Sequence, residues 1–195
     1  MPLDRPLPDR TALILVDLQL AVDDPRWARH GPRNNPGAEA AATALLGRWR
    51  SLGWPIVHIR HDSTEPESTY KPGGPGHEFK PEVAPSADET IIAKQVNSAF
   101  IGTDLHRHLR DIDAPALVIL GVITNNSLEA TVRNAGNLGH VVLVPEDACF
   151  TYGWKDLRGK LWTAEDVHAL SLANLHGEYA TVTSSAEILA NVPAA

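Results

Sequence analysis

The chain has 195 residues, 43% hydrophobic and 21% charged, with a formal net charge of −7; that size suits one globular domain with a full core, and the acidic excess, opposed by no basic run, argues against a nucleic-acid partner. The single cysteine, Cys149, excludes an intramolecular disulfide and fits a reducing compartment. No apolar stretch approaches the roughly 20 residues that span a bilayer, and Met1-Pro-Leu-Asp-Arg5 lacks the basic-then-apolar layout of a secretory signal, so no membrane contact and a cytoplasmic location are expected.

The first element is Ala12-Leu-Ile-Leu-Val16, a short apolar run that reads as a buried strand. Asn34-Asn-Pro36 then places a cap and a first-turn proline before an alanine- and leucine-rich helix over residues 38–52. Pro55-Ile-Val-His-Ile59 is a second strand. The Pro/Gly-rich stretch over 62–88 is too long for a simple connection and is expected to be a functional loop or an interface arm. Thr90-Ile-Ile-Ala93 is a weaker strand, and 103–110 forms a helix with Leu105 and Leu109 on one face. Ala116-Leu-Val-Ile-Leu120 is a strand, and a helix over 127–138 ends at Gly139. Val141-Val-Leu-Val144 is the next strand. Thr163-Ala-Glu-Asp166 opens a capped helix that runs to Leu175, and Tyr179-Ala-Thr-Val-Thr183 is a last, weaker strand. Strands apolar on both faces that alternate with helices predict a three-layer α/β domain over 1–195, with a six-stranded, mainly parallel, Rossmann-like sheet.

Parallel sheets bind ligands beyond the carboxyl ends of their strands. Asp17, Lys94 and Ser127 all fall at or just past such ends, and an acid, a base and a hydroxyl on one edge can form a nucleophile set. Taken singly, Asp17 can equally cap a turn, Lys94 be a solvated strand end, and Ser127 an N-cap. Gln19 faces the same pocket or bonds a nearby loop. Trp27, Phe150, Tyr152 and Trp154 lie in loops after strands, where aromatics wall a pocket or pack in a core or interface. Asn125 and Asn126 occupy the turn before Ser127, where they reach the substrate or satisfy a tight backbone. His58 and His61, three apart on a strand, point to opposite faces and chelate poorly, so no metal or other cofactor is expected. His106, His108, His168 and His176 read as solvated or packing groups. Gly73-Gly-Pro-Gly76 lacks the following Lys-Ser/Thr of a phosphate cradle, and there is no Gly-x-Gly-x-x-Gly.

Three separated words give these residues a context: Leu15-Val-Asp17-Leu-Gln19, Lys94-Gln-Val-Asn-Ser98-Ala-Phe100, and Gly121-Val-Ile-Thr124-Asn-Asn-Ser127 with Glu129-Ala-Thr131-Val-Arg133. Together with Glu146-Asp-Ala148, Val167-His168 and Gly177-Glu-Tyr179, in this order, they resemble the isochorismatase-like hydrolases, also called the cysteine hydrolase superfamily. The resemblance implies that Asp17 moves the proton between nucleophile and leaving amine, and that Lys94 holds the carboxylate and stabilises the nucleophile's charge. It also implies a cis peptide at Val122–Ile123 and an oxyanion hole from the Ile123 and Ser127 amides. The expected reaction is hydrolysis of a C–N bond in a small amide- or ureide-type substrate through a covalent acyl-enzyme, in a homo-oligomer.

Ser127 departs from the family pattern, which usually has cysteine there. A thiol ionises at about 8.5 and is readily lowered, whereas a hydroxyl needs a base acting during attack. Serine here reads either as a Cys→Ser form that traps substrate or as a natural serine-bearing branch. It also leaves open a vinyl-ether hydrolase of the isochorismatase type, and a catalytically silent binding protein on the same scaffold.

Overall fold

The computed structural model describes residues 6–193; the Met1–Arg5 stretch weighed above for signal character lies outside them. In chain order the elements are β1 (Ala12–Val16), α1 (Ala38–Leu52), β2 (Ile56–His61), β3 (Thr90–Lys94), α2 (Leu105–Asp111), β4 (Leu117–Val122), α3 (Glu129–Asn137), β5 (Val142–Pro145), β6 (Cys149–Phe150), β7 (Trp154–Lys155), β8 (Leu161–Trp162), α4 (Ala164–Leu175), β9 (Thr181–Thr183) and α5 (Ser185–Ala190). The central sheet runs β3-β2-β1-β4-β5-β9, with β6 as a seventh strand beside β4. Every pairing described in it is parallel. All residues of β1 and β4 are buried, because right-handed crossovers that leave β1 and β4 in opposite directions put helices on both faces. On α1, Ala38, Ala42, Leu45, Leu46 and Trp49 form the buried stripe. Trp49 satisfies its buried indole by donating to the Thr11 carbonyl at 2.7 Å. The helix closes on Gly53 at φ +63, a conformation that suits glycine.

β6 exists because β5 pairs with β4 only at Leu117 and Val118. The carboxyl end of β4 is left to Cys149 and Phe150, which pair with Gly121 and Val122. β7 and β8 form a separate antiparallel ribbon. The predicted helix over 127–138 is divided. Thr124–Leu128 is a wide turn in which the Leu128 N–H reaches the Ile123 carbonyl at 3.4 Å, and the α-helix begins only at Glu129.

The strand order reverses between β1 and β4. Such a switch point splays the connections apart and opens a crevice beyond the strand ends. Asp17 follows β1, Ser127 follows β4, and Lys94 ends β3. The long arm between β2 and β3 closes over this edge: Leu20, Ala21 and Lys80 donate backbone hydrogen bonds to Glu78, Gly76 and Leu18. Gly76 is required for the approach, since a Cβ there would lie 2.7 Å from the Ala21 Cα. No described helix is long and apolar enough to cross a membrane.

Candidate active site

Asp17 leaves β1 at φ +54, a left-handed conformation uncommon for a residue with a side chain. Its N–H is held by the Ile59 carbonyl at 3.0 Å, so the turn that aims its carboxylate is anchored to β2. Lys94 enters from the end of β3 and is 1% exposed; Asp17 and Ser127 are 3% and 8% exposed. The Lys94 ammonium donates to Asp17 Oδ2 at 2.7 Å and to Ser127 Oγ at 3.3 Å, and lies 3.2 Å from His61 Nδ1. The three residues singled out at the strand ends therefore meet in one buried cluster.

Burial pushes the Asp17 carboxyl above its ordinary range, and the Lys94 charge opposes this without cancelling it. Asp17 Oδ1 has no hydrogen-bond partner among the described residues, although a looser contact with the Ser127 hydroxyl also favours the charged form. Because Lys94 already donates to Ser127 Oγ, the hydroxyl proton must point elsewhere, and Oδ1 is the neighbouring acceptor with capacity to spare. A carboxylate placed and destabilised in this way can take a proton from a nucleophile and return it to a leaving group. The Val122–Ile123 peptide is cis, and both residues are buried.

The remaining pocket candidates divide. Tyr152 donates its hydroxyl to the Val22 carbonyl at 2.8 Å and stacks on Trp27 with ring centroids 6.3 Å apart. Trp27 meets the edge of Tyr70, and Tyr70 that of His61. This row of rings runs toward Lys94. Two expectations need correction. Gln19 does not face a pocket: its Nε2 donates to the His61 and His77 carbonyls and its Oε1 accepts from the His61 N–H, so it staples the arm to β2. Phe150 is fully buried beneath Tyr152 and the Arg33 guanidinium, so it packs under the site without walling it. Asn125 accepts from the Thr151 hydroxyl at 2.6 Å and borders a cavity of about 220 Å³ with Trp162 and Ser171, on the α4 side of the turn. Trp154 lies under Arg29. A cleft of about 370 Å³ between Asp62 and Ile101 borders the end of β3, while the Lys94 side chain is fully buried.

Some contributors lie outside the three motif words. Tyr70 comes from the middle of the arm, and its hydroxyl lies 3.5 Å from the Asp17 carbonyl. His168 and Ser171 on α4 brace the turn that carries Ser127: His168 Nδ1 pairs with Thr124 Oγ1 at 2.9 Å, and Ser171 Oγ lies 2.5 Å from Glu129 Oε2 and 3.2 Å from the Thr124 carbonyl. Val167-His168 is among the resembling words, but only the fold shows what His168 holds; Ser171, one turn on, has the polar spacing on α4 as its only sequence signal. His58 is committed to Glu89 at 2.8 Å, and no group of three potential metal-binding side chains occurs among the described residues. Cys149 is buried in β6, where burial pushes its thiol up to about 12.

With this geometry in hand, the relatives of the chain are informative. The Isochorismatase domain matches residues 11–187. A putative isochorismatase-family hydrolase from Chromobacterium violaceum ATCC 12472 has a crystal structure that is 57% identical, with a TM-score of 0.92 over 98% of this chain and 97% of that one. The isochorismatase family protein YrdC of Bacillus subtilis is 38% identical over 181 residues, covering 93% of this chain and 95% of the relative. The ureidoacrylate amidohydrolase RutB of Klebsiella pneumoniae is 29% identical over 178 residues, covering 75% of each. The domain match over residues 11–187 and the shared fold of a 57% identical relative place this chain in the isochorismatase family of hydrolases.

Proposed function

We propose that this hydrolase cleaves a C–N bond of a small amide- or ureide-type substrate through a covalent intermediate on residue 127. The observation that carries the reading is the single buried ammonium of Lys94 in contact with both the Asp17 carboxylate and Ser127 Oγ. In the forward step Ser127 Oγ attacks the substrate carbonyl carbon as Asp17 takes the hydroxyl proton. The Ile123 and Ser127 amides receive the oxyanion, and Lys94 offsets the charge that develops on Oγ as its proton passes to Asp17. Collapse expels the amine, which takes the proton back from Asp17. Water then attacks the acyl ester and gives a proton to Asp17, which passes it to Ser127 Oγ as the ester collapses, so that the acid leaves and both Ser127 and the Asp17 carboxylate are restored. The burial that raises Asp17 makes it a stronger base than an exposed carboxylate, as a hydroxyl nucleophile needs. The likeness to a relative named an amidohydrolase supports the amide class.

The raised Asp17 also favours a second reading, in which the protonated carboxyl acts as a general acid on a vinyl ether and Ser127 only holds the ligand. Product analysis with intact-mass and peptide mass spectrometry, after incubation with a panel of small amides, p-nitrophenyl esters and enol ethers, separates the two. The amide reading expects an acyl mass on the peptide carrying Ser127, absent in Ser127→Ala. Vinyl-ether cleavage with no adduct supports the second reading.

A further inference from the structure

We infer that His61 is a positioning residue whose Nδ1 accepts a hydrogen bond from one N–H of the Lys94 ammonium and so keeps another directed at Ser127 Oγ. The inference rests on the covalent reading of the site proposed above.

The sheet register makes this contact. His61 and Lys94 are direct partners where β2 and β3 run side by side, and residues paired in that way project from the same face. An ammonium has three N–H donors, and Lys94 has three acceptors at its tip: Asp17 Oδ2 at 2.7 Å, Ser127 Oγ at 3.3 Å and His61 Nδ1 at 3.2 Å. The Asp17 bond alone sets the turn about Cε–Nζ but leaves Nζ, on its flexible methylene chain, free to be drawn toward the carboxylate and away from Oγ. A second fixed acceptor holds Nζ against that shift. His61 is suited to the task because its own backbone is clamped on both sides: the N–H donates to Gln19 Oε1 at 2.7 Å and the carbonyl accepts from Gln19 Nε2 at 3.2 Å. The ring rests against Tyr70, with centroids 5.5 Å apart.

The contact requires an unprotonated Nδ1, with the ring proton on Nε2. The charged and titratable groups facing the ring are Lys94 from β3, Asp17 from the end of β1, Tyr70 from the arm and the adjoining Asp62. Asp62 is itself engaged by Arg60 and His77. Burial and the Lys94 charge both lower the His61 pKa below its ordinary value, which keeps the ring neutral. Protonation would remove the acceptor and set a second cation against Lys94.

The test uses the Ser127→Cys protein, in which the thiolate at 127 reports the Lys94 contact without any substrate. Ultraviolet absorbance of the thiolate is followed against pH, with alkylation by iodoacetamide as a second readout; Cys149, buried and held near 12, stays silent below about pH 10. His61→Asn keeps an acceptor oxygen close to the Nδ1 position, whereas His61→Phe keeps the ring and loses the acceptor. Positioning predicts that His61→Phe lowers the thiolate fraction at neutral pH roughly tenfold or more, and that His61→Asn restores most of it. A packing role predicts the reverse order, with Phe tolerated and Asn not. That order, or titrations that both variants leave unmoved, overturns the inference. Neither result depends on an acyl adduct, so failure of the covalent reading shows separately in the mass spectrum.

Discussion

Replacing Gly121 by alanine tests how tightly the switch point is built. Gly121 pairs with Val16, the residue before Asp17. It has φ +127, and a Cβ there would come within 2.1 Å of the Val16 carbonyl oxygen and 2.7 Å of its nitrogen. Both obstacles are backbone, so no side chain can rotate away, and either β1 or β4 must move. Overpacking of this kind costs about 1–3 kcal/mol, and the disfavoured φ adds about 1–3 kcal/mol. The expected loss is thus about 2–6 kcal/mol from a total stability on the order of 5–15 kcal/mol. Gly139→Ala is the control, because Gly139 also has positive φ, at +87, but a Cβ there would meet nothing within 4 Å. Urea unfolding followed by tryptophan fluorescence should show a clearly larger drop in midpoint for Gly121→Ala than for Gly139→Ala. The folded Gly121→Ala protein should also lose the Asp17 geometry and with it activity. Equal midpoints for the two variants would refute the reasoning.

Three further outcomes follow from the contacts. Gln19→Leu should destabilise the arm, because it leaves the His61 N–H and the His61 and His77 carbonyls unpaired at about 1–3 kcal/mol for each group that stays buried; limited proteolysis within 62–88 should accelerate, and an unchanged digestion rate would contradict the staple. Burial opposes the charge on Glu39 and on Glu89, but hydrogen bonds from Arg33 and Lys80 to Glu39, and from Arg50 to Glu89, outweigh it and hold each carboxyl at about 2. Such depressed groups stabilise the fold above their ordinary value of 4.5 and lose that contribution as pH falls toward about 2. The urea midpoint should therefore fall across that window, and Glu39→Gln with Glu89→Gln should flatten the fall. Finally, Cys149 should resist iodoacetamide in the folded protein and react once urea unfolds it; rapid labelling of the native chain would contradict its buried place in β6.

The parallel α/β fold was legible because its strands are continuous apolar runs separated by helices with clear boundaries, such as Gly139 after α3 and the Thr163 cap that opens α4. The grouping of Asp17, Lys94 and Ser127 was suggested by their places at the ends of parallel strands, and it was the three words resembling the family's motifs that decided it. Elements of two residues, β6, β7 and β8, are too short for any period to register. α5 is only six residues long, although Ser184 caps it by accepting from the Glu187 N–H. The wide turn that carries Ser127 has no composition of its own, so it reads as the start of α3. Gln19 and Tyr70 could not be placed from sequence because their partners lie across the arm, at a separation fixed only by tertiary packing. The in-register pairing of His61 with Lys94 follows from the alignment of β2 and β3, which strand patterns alone do not set.

The most direct measurement compares single-turnover hydrolysis of one small amide substrate by the Ser127 protein, Ser127→Cys and Ser127→Ala, with ligand affinity measured alongside. If attack by the residue-127 side chain limits the reaction, the cysteine form should be fastest and the alanine form inactive, with affinity nearly constant because Asp17, Lys94 and the turn amides are retained. A nucleophile difference of about 4 kcal/mol would separate cysteine from serine by about a thousandfold. An alanine form that hydrolyses as fast as the serine form would contradict the covalent account.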